Sequence, residues 1–487
     1  MNRSLLRQLL LYRYRYSIGI VLFVVLLILM VFVRLDLAPS GVSQSEMSSS
    51  VTSATLQLAQ PFSQPWIDAP YHVLQKLSLS VLGLNQWGIT LPSLLLGLAT
   101  GVAFLMMVRR WFRMNVALIT SFIFVTSAAF LVQARTGTPM IMTTFWLSII
   151  LLAVTNILHP EGRSKLWGIV LLIVVPLSLY TPLMIYPLLS VGIAGLLHPH
   201  VRFVARRMAA WKYVAVGLTV VALLTPLAFT IIKYPETLPE LAGIPTHTLS
   251  LQDIVFNTKV VTKSFLSIGS AVVGSIPQPI FGAASLIIIV LGLFRTIADH
   301  HSARSYMLLI WSASFIPIAL LNPDKLLICL IPAYLFMAIG VETLIREWYK
   351  LFPLNPYARL AGLLPLIVLL GGIMVSNTAQ YFYGYFYGNP NVPYELQLAA
   401  TNRILAAQKD KKAPVSVVVV SDESAFYDLL RRKHGNVTVA VSAPVKPAGV
   451  TIIHDGATYS PEALGVPYRI VTSYRAQSDQ VIVRQYQ

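Results

Sequence analysis

Apolar runs of about twenty residues alternate with short polar turns along the first 380 residues of the chain. An α-helix needs ~20 apolar residues to cross a hydrocarbon core of about 30 Å. The pattern therefore predicts a multi-pass α-helical membrane protein with about eleven transmembrane helices. The predicted spans are 17–33, 88–108, 115–133, 140–158, 167–182, 184–197, 213–232, 280–294, 306–321, 326–345 and 361–377.

Basic residues are concentrated in alternate turns between these runs. The predicted inner segments hold about 18 Lys and Arg, against about 7 in the outer loops before residue 379. Cytoplasmic loops carry such an excess of positive charge. We therefore expect an integral protein of the cell membrane with a cytoplasmic N-terminus, and an odd number of spans places the C-terminal part outside the cytoplasm.

Two outer loops are long enough to hold structure of their own, at 34–87 and 233–279. In the first loop, Ser43 or Ser45 is a suitable cap for a helix running through Glu46 toward residue 58. A second helix is predicted over 71–84 and a third around 251–270. Amphipathic helices of this kind typically lie in the membrane interface with the apolar side down.

The tail after residue 395 has a different pattern. Helices are predicted at 395–409 and 422–433, and short strands at 415–420, 437–441, 450–454, 470–471 and 481–484. Strand, helix and strand at this spacing predict a small extracytoplasmic α/β domain. The predicted division is a transmembrane domain over 1–380 and this domain over 395–487. No Gly-rich phosphate loop follows its first strand, so a nucleotide site is not supported.

Composition and charge narrow the class of protein further. The chain is 56% hydrophobic and 11% charged, with a net charge of +17 and a single cysteine, Cys329. The positive charge lies mostly in turns between apolar runs, which is a topology signal and not a nucleic-acid patch. One cysteine excludes an intrachain disulfide and a zinc site built from cysteines.

Five places in the chain carry a family resemblance. The long first outer loop has an acid shortly after the first span. The other four are Asp68-Ala69-Pro70-Tyr71-His72-Val73-Leu74, the stretch Leu91 to Leu98 followed by Arg109-Arg110-Trp111-Phe112, Tyr180-Thr181-Pro182, and Lys325 seven residues before Pro332. In order and spacing these resemble the GT-C glycosyltransferases, in particular protein O-mannosyltransferases and the aminoarabinose transferase that acts on lipid A. The resemblance covers roughly residues 17–345.

The resemblance implies transfer of a sugar from a polyprenyl-phosphate carrier to an acceptor outside the cytoplasm. The acceptor hydroxyl loses its proton as it attacks the anomeric carbon, and a carboxylate is a suitable base. The candidate bases are Glu46 and Asp68. The leaving lipid phosphate needs a cation to offset its charge. The candidates for contact with the lipid phosphate or the substrate are Lys325, Arg135, Lys76, His72 and Tyr180.

The sequence also departs from the family. Ser45-Glu46 stands where the family has an Asp-Glu pair, Thr138-Pro139-Met140 contains no acid where many members carry one, and Asp68 replaces a histidine. Hard divalent ions favour several oxygen ligands. We therefore predict no cofactor, with a divalent metal as the weaker alternative. The expected partners are the carrier-linked sugar, the extracytoplasmic acceptor and membrane lipids.

Two other functions stay open. The missing acids also fit a non-catalytic relative that binds a lipid-linked glycan or scaffolds an envelope complex. A transporter is less supported, because the spans hold almost no charge apart from Glu342 and no internal repeat is visible. Each candidate residue also has a structural explanation: Glu46 and Asp68 could begin helices, and Lys325 could reach from a helix end to the interface.

Overall fold

A computed structural model gives the structure of the protein. It describes residues 10–35, 41–57, 60, 64–158, 164–197, 202–203, 210–245, 250–266, 271–273, 276–299, 302–351, 356–386, 394–395, 397–408, 414–433, 435–442, 450–454, 457, 469–472 and 480–485. The chain is predominantly helical over its first 386 residues, and a small sheet follows.

Each predicted span coincides with an apolar helix. The helices are α1 (Leu10–Phe32), α4 (Gln86–Trp111), α5 (Met114–Thr126), α6 (Ala128–Arg135), α7 (Ile141–Leu158), α8 (Ser164–Ser178), α9 (Ile185–Leu197), α10 (Ala210–Lys233), α13 (Ala283–Ala298), α14 (Ala303–Leu321), α15 (Leu330–Leu351) and α16 (Pro356–Phe386). Within the described residues, seven helices are long and apolar enough to cross a membrane, and the pair α5–α6 makes an eighth. Helices α8, α9 and α13 are shorter but apolar. The protein is thus an integral membrane protein, as predicted.

Two details of the membrane part differ from the predicted spans. The span predicted at 115–133 is bent by 60° between α5 and α6. The bend occurs at Ser127, which has extended backbone angles and caps α6 by accepting a hydrogen bond from the Phe130 N–H. The last helix, α16, covers Pro356–Phe386, and is thus longer at both ends than the span predicted at 361–377.

The two long loops predicted to be outer, 34–87 and 233–279, contain short helices, as the sequence predicted, and the names first and second outer loop are kept for them. The first loop has strand β1 (Val42–Ser43), α2 (Gln44–Thr55) and α3 (Ala69–Leu82). The second has α11 (Thr237–Ala242), α12 (Leu251–Leu266) and the hairpin of β2 (Ala271–Val273) and β3 (Ile276–Gln278). Between α14 and α15 the chain forms a 3-10 helix, Pro323–Cys329.

The C-terminal part is an α/β unit with a five-stranded sheet. After β4 (Tyr394–Glu395) come α17 (Gln397–Gln408), β5 (Val415–Val418), α18 (Ser424–Lys433), β6 (Val437–Ala440), β7 (Val450–Ile453), β8 (Arg469–Thr472) and β9 (Gln480–Gln485). The strand order is β6-β5-β7-β9-β8. Strand β5 is parallel to β6 and β7, and β9 is antiparallel to β7 and β8. All five predicted strands are therefore present, which confirms the predicted α/β class.

This α/β unit packs on the first outer loop. Strand β1 pairs with β4, and the Asn402 side-chain amide donates to the Leu84 carbonyl at 2.8 Å. One hydrophobic core joins Val42 and Met47 of the loop to side chains of the sheet and of α18. The first outer loop is consequently held between the transmembrane helices and the C-terminal unit, which fixes the loop that carries both candidate carboxylates.

Candidate functional site

Glu46 lies in the first turn of α2 and closes a capping box with Ser43. Its Oε2 accepts hydrogen bonds from the Ser43 N–H at 2.8 Å and from the Ser43 hydroxyl at 2.9 Å. The Ser43 hydroxyl oxygen in turn accepts from the Glu46 N–H at 3.4 Å. Ser and Glu three residues apart satisfy unpaired donors at a helix start in this reciprocal way. The cap that the sequence suggested is therefore present.

The second oxygen of Glu46 is bound to the turn after α6. Oε1 accepts a hydrogen bond from the Gly137 N–H at 2.6 Å. The turn is packed closely, because a Cβ at Gly137 would lie 2.8 Å from the Ile89 carbonyl oxygen. Burial raises the pKa of Glu46, and the bonds from Gly137 and Ser43 oppose that shift. Both oxygens of Glu46 are thus engaged: Oε2 caps α2, and Oε1 holds α2 against the turn after α6.

Asp68 immediately precedes α3 and is placed differently. Its side chain makes no capping hydrogen bond, and its backbone is left-handed, with φ 50°. The Asp68 N–H donates to the Tyr180 carbonyl at 2.9 Å, which joins the first outer loop to the turn between α8 and α9. The residue is 9% exposed, and Oδ1 has no hydrogen-bond partner among the described residues. Asp68 therefore presents a buried carboxyl oxygen to which no described residue donates a hydrogen bond.

The backbone around Asp68 is strained. Of the described residues other than glycine, Arg34, Asp68 and Leu183 have positive φ, and Leu183 has φ 67°. The Leu183 N–H donates to the Leu241 carbonyl of α11 at 2.7 Å. A leucine in this conformation costs about 1–3 kcal/mol and persists only where its neighbours enforce it. Two of the three strained positions thus lie in the segments that meet at Asp68.

Electrostatics sets the state of the Asp68 carboxyl group. Burial raises its pKa to about 7, while a hydrogen bond from the Thr181 side chain and the charge of Lys325 lower it, and the charge of Glu240 raises it. A pKa near neutrality suits a general base, because the group is then available unprotonated and still accepts a proton readily. The site therefore combines Asp68 with a lysine that lies far from it in the sequence but close enough for its charge to act on the carboxyl group.

Lys325 lies on the 3-10 helix between α14 and α15 and is half-buried. Its backbone N–H donates to the Asn322 carbonyl at 3.2 Å, which closes the turn at the end of α14. Ile328 of the same 3-10 helix belongs to one hydrophobic cluster with Leu183 and Ile318. This cluster joins the 3-10 helix to the strained turn near Asp68, and the positive charge of Lys325 lowers the pKa of the Asp68 carboxyl group.

Arg135 lies between the spans predicted at 115–133 and 140–158, where the sequence predicts a turn, but the structure places it in a helix and buries it. It is the last residue of α6 and is completely buried. Its guanidinium group donates to the carbonyl oxygens of Met30, Val33 and Arg34 at 2.8, 2.9 and 3.0 Å. These carbonyls end α1, so Arg135 satisfies acceptors that a helix terminus leaves open. The geometry favours this capping role over lipid-phosphate binding, which stays a prediction.

The remaining candidates are engaged in local contacts. The Lys76 ammonium group donates to the Leu56 carbonyl, beyond the end of α2. The His72 Nδ1 atom is 2.8 Å from the Ser53 hydroxyl oxygen. The Tyr180 hydroxyl donates to the Leu223 carbonyl of α10 at 2.6 Å. Tyr180 thus contributes its backbone carbonyl to Asp68, while its side chain anchors the turn.

Sequence reasoning missed three residues of this site: Thr181, Leu183 and Glu240. Thr181 was within a quoted motif, Tyr180-Thr181-Pro182, but only the tyrosine was considered. No local signal marks Leu183 or Glu240, since both act through long-range contacts. In the described part of the chain, no group of three or more His, Cys, Asp and Glu residues lies together. A reaction without a metal remains a prediction.

Comparisons with known proteins agree with the predicted fold. Residues 69–228, less than half of the chain, match the family model of dolichyl-phosphate-mannose-protein mannosyltransferase. No curated protein sequence matches the chain. Among solved structures, the chain is similar to ArnT from Cupriavidus metallidurans bound to undecaprenyl phosphate. The TM-score is 0.52 at 16% identity, covering 95% of this chain and 97% of that chain.

A second similar structure comes from an archaeon. It is the oligosaccharyltransferase AglB from Archaeoglobus fulgidus in complex with an inhibitory peptide and a dolichol-phosphate. The TM-score is 0.52 at 11% identity, covering 91% of this chain and 70% of that chain. The chain therefore has the GT-C fold, which confirms the resemblance found in the sequence.

Proposed function

We propose that this protein of GT-C fold transfers a sugar from a polyprenyl-phosphate carrier to an acceptor on the outer face of the membrane. The observation that carries the proposal is the buried Asp68 carboxyl group, with one oxygen that no described residue binds and with Lys325 in electrostatic range. A general base and a cation are the two groups that the reaction needs.

With these two residues, every bond, proton and charge in the transfer reaction is accounted for. The acceptor oxygen forms a bond to the anomeric carbon while the bond from that carbon to the phosphate oxygen breaks. The acceptor proton moves to the Asp68 carboxylate, and the electron pair of the broken bond leaves with the lipid phosphate. The positive charge of Lys325 offsets the charge that develops on the phosphate.

Asp68 is the better candidate for the base than Glu46. A base must have an oxygen within hydrogen-bond reach of the proton that it removes. The two Glu46 oxygens already accept three hydrogen bonds from Ser43 and Gly137. Removing Glu46 from these contacts would release α2 from the turn after α6. We therefore assign Glu46 to the structure of the loop and Asp68 to the chemistry.

The lipid carrier is the best supported part of the substrate. Undecaprenyl phosphate is bound in the ArnT structure and a dolichol-phosphate in the AglB structure. The matched family model describes transfer of mannose from dolichyl phosphate to protein. For this chain we propose a polyprenyl phosphate as the leaving group, with the N-terminus cytoplasmic and the C-terminal unit on the outer side.

The test uses the purified full-length protein in proteoliposomes with labelled undecaprenyl-phosphate mannose or glucose and a cell-envelope extract as acceptor. We expect release of undecaprenyl phosphate together with transfer of the label. The Asp68→Asn variant should lose transfer, while Asp422→Asn, which changes an exposed acid of the C-terminal unit, should retain it. Binding of the carrier without any transfer by the wild type would support the non-catalytic alternative instead.

A further inference from the structure

A buried network next to Asp68 fixes the hydrogen positions on a histidine. The Gln75 Nε2 atom donates to the carbonyl oxygens of Ile89 at 3.0 Å and Gly137 at 2.8 Å. Reversing the amide would place its oxygen against two carbonyl oxygens, so the orientation is determined by chemistry. Gln75 Oε1 is therefore an acceptor. The Ser53 hydroxyl donates to it at 2.6 Å and the Ser49 hydroxyl at 2.8 Å.

The network leaves one arrangement for the imidazole of His72. A serine hydroxyl has a single hydrogen, and that of Ser53 is used on Gln75. The Ser53 oxygen, 2.8 Å from His72 Nδ1, therefore accepts a hydrogen bond from the ring. Nδ1 must carry the hydrogen, because a ring nitrogen without one could only accept. In the neutral ring the lone pair is then on Nε2.

The ring is neutral, and no described residue binds its Nε2 atom. Burial lowers the pKa of His72 to about 4, so the imidazole carries no charge near neutral pH. His72 is 7% exposed, and its only side-chain hydrogen bond to a described residue is the one from Nδ1. Its backbone N–H donates to the Asp68 carbonyl at 3.1 Å, one helical turn away. Asp68 is the residue that precedes this helix, so the imidazole belongs to the first turn after the proposed base.

We propose that His72 is a substrate-binding residue whose Nε2 accepts a hydrogen bond from a hydroxyl group of the transferred sugar or of the acceptor. The proposal rests on the transfer reaction proposed above and deepens it. Of the two contacts predicted for His72 from the sequence, lipid phosphate or substrate, the proposal selects the substrate. A neutral nitrogen acceptor repels a phosphate oxygen but accepts a hydrogen bond from a hydroxyl group. The buried network of Ser53 and Gln75 supplies the orientation.

The first experiment measures the tautomer without any substrate. Full-length protein labelled with ¹⁵N-histidine in lipid nanodiscs is examined by NMR, and the His72→Gln spectrum identifies the signals of this residue. We expect a neutral ring with hydrogen on Nδ1 throughout pH 6 to 8. A hydrogen on Nε2, or a charged ring at pH 7, would overturn the proposal whatever the protein does with sugars.

The second experiment uses two substitutions that separate the ring nitrogens. In His72→Asn the amide N–H replaces Nδ1 and retains the bond to Ser53, but nothing replaces Nε2. In His72→Gln the longer side chain places an acceptor oxygen near the Nε2 position. Loss of one hydrogen bond weakens binding about tenfold. We therefore expect His72→Asn to bind substrate about tenfold more weakly than His72→Gln, although only His72→Asn retains the buried bond to Ser53.

Two readouts identify which hydroxyl is bound. In binding, the wild type should prefer undecaprenyl-phosphate mannose or glucose over bare undecaprenyl phosphate, and His72→Asn should lose about tenfold of that preference if the sugar hydroxyl is the donor. In the transfer assay, a His72→Asn variant in which only the KM of the acceptor rises indicates that the acceptor hydroxyl is the donor to Nε2. If the wild type transfers nothing, a His72-dependent binding preference still supports the inference while the proposed function fails. If His72→Asn and His72→Gln give the same result in both readouts, the inference is contradicted.

Discussion

Glu46 and Asp68 belong to the same outer loop and are both buried, with 2% and 9% of their surface exposed. Every oxygen of Glu46 accepts hydrogen bonds, and its helix begins with an ordinary extended cap residue. Asp68 has a left-handed backbone, an unbound oxygen within the described structure and a lysine in electrostatic range. Burial alone therefore does not separate the two acids, and it is the unbound oxygen and the strained backbone that favour Asp68 as the proposed base.

The largest expected effect comes from Asp68→Asn, which keeps the shape and removes the base. Loss of a general base costs about 10²–10⁴-fold in rate. We expect transfer to fall by at least about 100-fold in initial-rate measurements with carrier-linked sugar. Activity within about twofold of the wild type would place the base elsewhere and remove the contrast with Glu46.

The same variant should be at least as stable as the wild type. The folded-state pKa of Asp68 is raised, so its contribution to stability is complete below the unfolded value near 4 and is lost as the pH rises through about 7. Asn does not ionise, so the stability of Asp68→Asn relative to the wild type should increase between pH 4 and 8. Thermal unfolding in detergent at several pH values measures this, and a destabilised Asp68→Asn would indicate a structural role.

A smaller loss is expected for Lys325→Gln, which removes the cation. Removing one group that stabilises developing charge costs about 10²–10³-fold in rate, against about 10²–10⁴-fold for a general base. Lys325→Arg keeps the charge and should retain most of the transfer. Lys76→Gln is a useful comparison, because the Lys76 ammonium group is bound to a carbonyl. Equal losses of transfer rate in Lys76→Gln and Lys325→Gln would contradict the proposed role of Lys325 in offsetting the charge on the phosphate.

Glu46→Gln should act on stability and hardly on chemistry. The amide brings hydrogens to a place where Ser43 and Gly137 already supply donors, so one buried N–H loses its acceptor. An unsatisfied buried donor costs about 1–3 kcal/mol. Thermal unfolding should show this loss, while the rate per folded molecule stays close to that of the wild type.

Asp253→Asn is the matched control for this effect. Asp253 accepts from the N–H and hydroxyl of Ser250 at the start of α12, in the same arrangement but exposed. Exposed caps contribute about 0.5–2 kcal/mol, so the loss should be the smaller of the two. A rate loss in Glu46→Gln as large as that of Asp68→Asn would reverse the assignment of the two acids.

The smallest effect is a shift in pH dependence from Glu240→Gln. The negative charge of Glu240 raises the pKa of Asp68, so removing it lowers that pKa. The acid limb of the pH–rate profile should move to lower pH, with the maximal rate unchanged. Glu236→Gln, an exposed neighbour, serves as the control. A shift to higher pH, or no shift, would contradict an action of the Glu240 charge on Asp68.

Much of the fold follows from local pattern. The spans are visible because a helix surrounded by lipid must be apolar over its full length. The capping box of Ser43 and Glu46 could be anticipated because its partners are three residues apart. The site could be predicted only in part. Asp68 and Lys325 came from motif similarity, but their proximity depends on the strained turn at Leu183 and its bond to Leu241.

The absence of a local pattern also explains why the burial of Arg135 could not be predicted from the sequence. A lone arginine near the end of an apolar run is usually read as a surface charge, yet the chain buries it to end α1. The partners of that cap lie about a hundred residues earlier in the sequence, and no local pattern joins the two segments. The hydrogen bond of the Asp68 N–H to the Tyr180 carbonyl is hidden from sequence for the same reason.

The most direct test is the pH dependence of a single turnover by the purified wild-type protein preloaded with labelled carrier-linked sugar. With Asp68 as the base, the rate should rise as the pH increases and level off above about 7, where burial places the pKa of this group. A rate that is independent of pH between 5.5 and 8.5, or that falls over this range, would contradict Asp68 as the base.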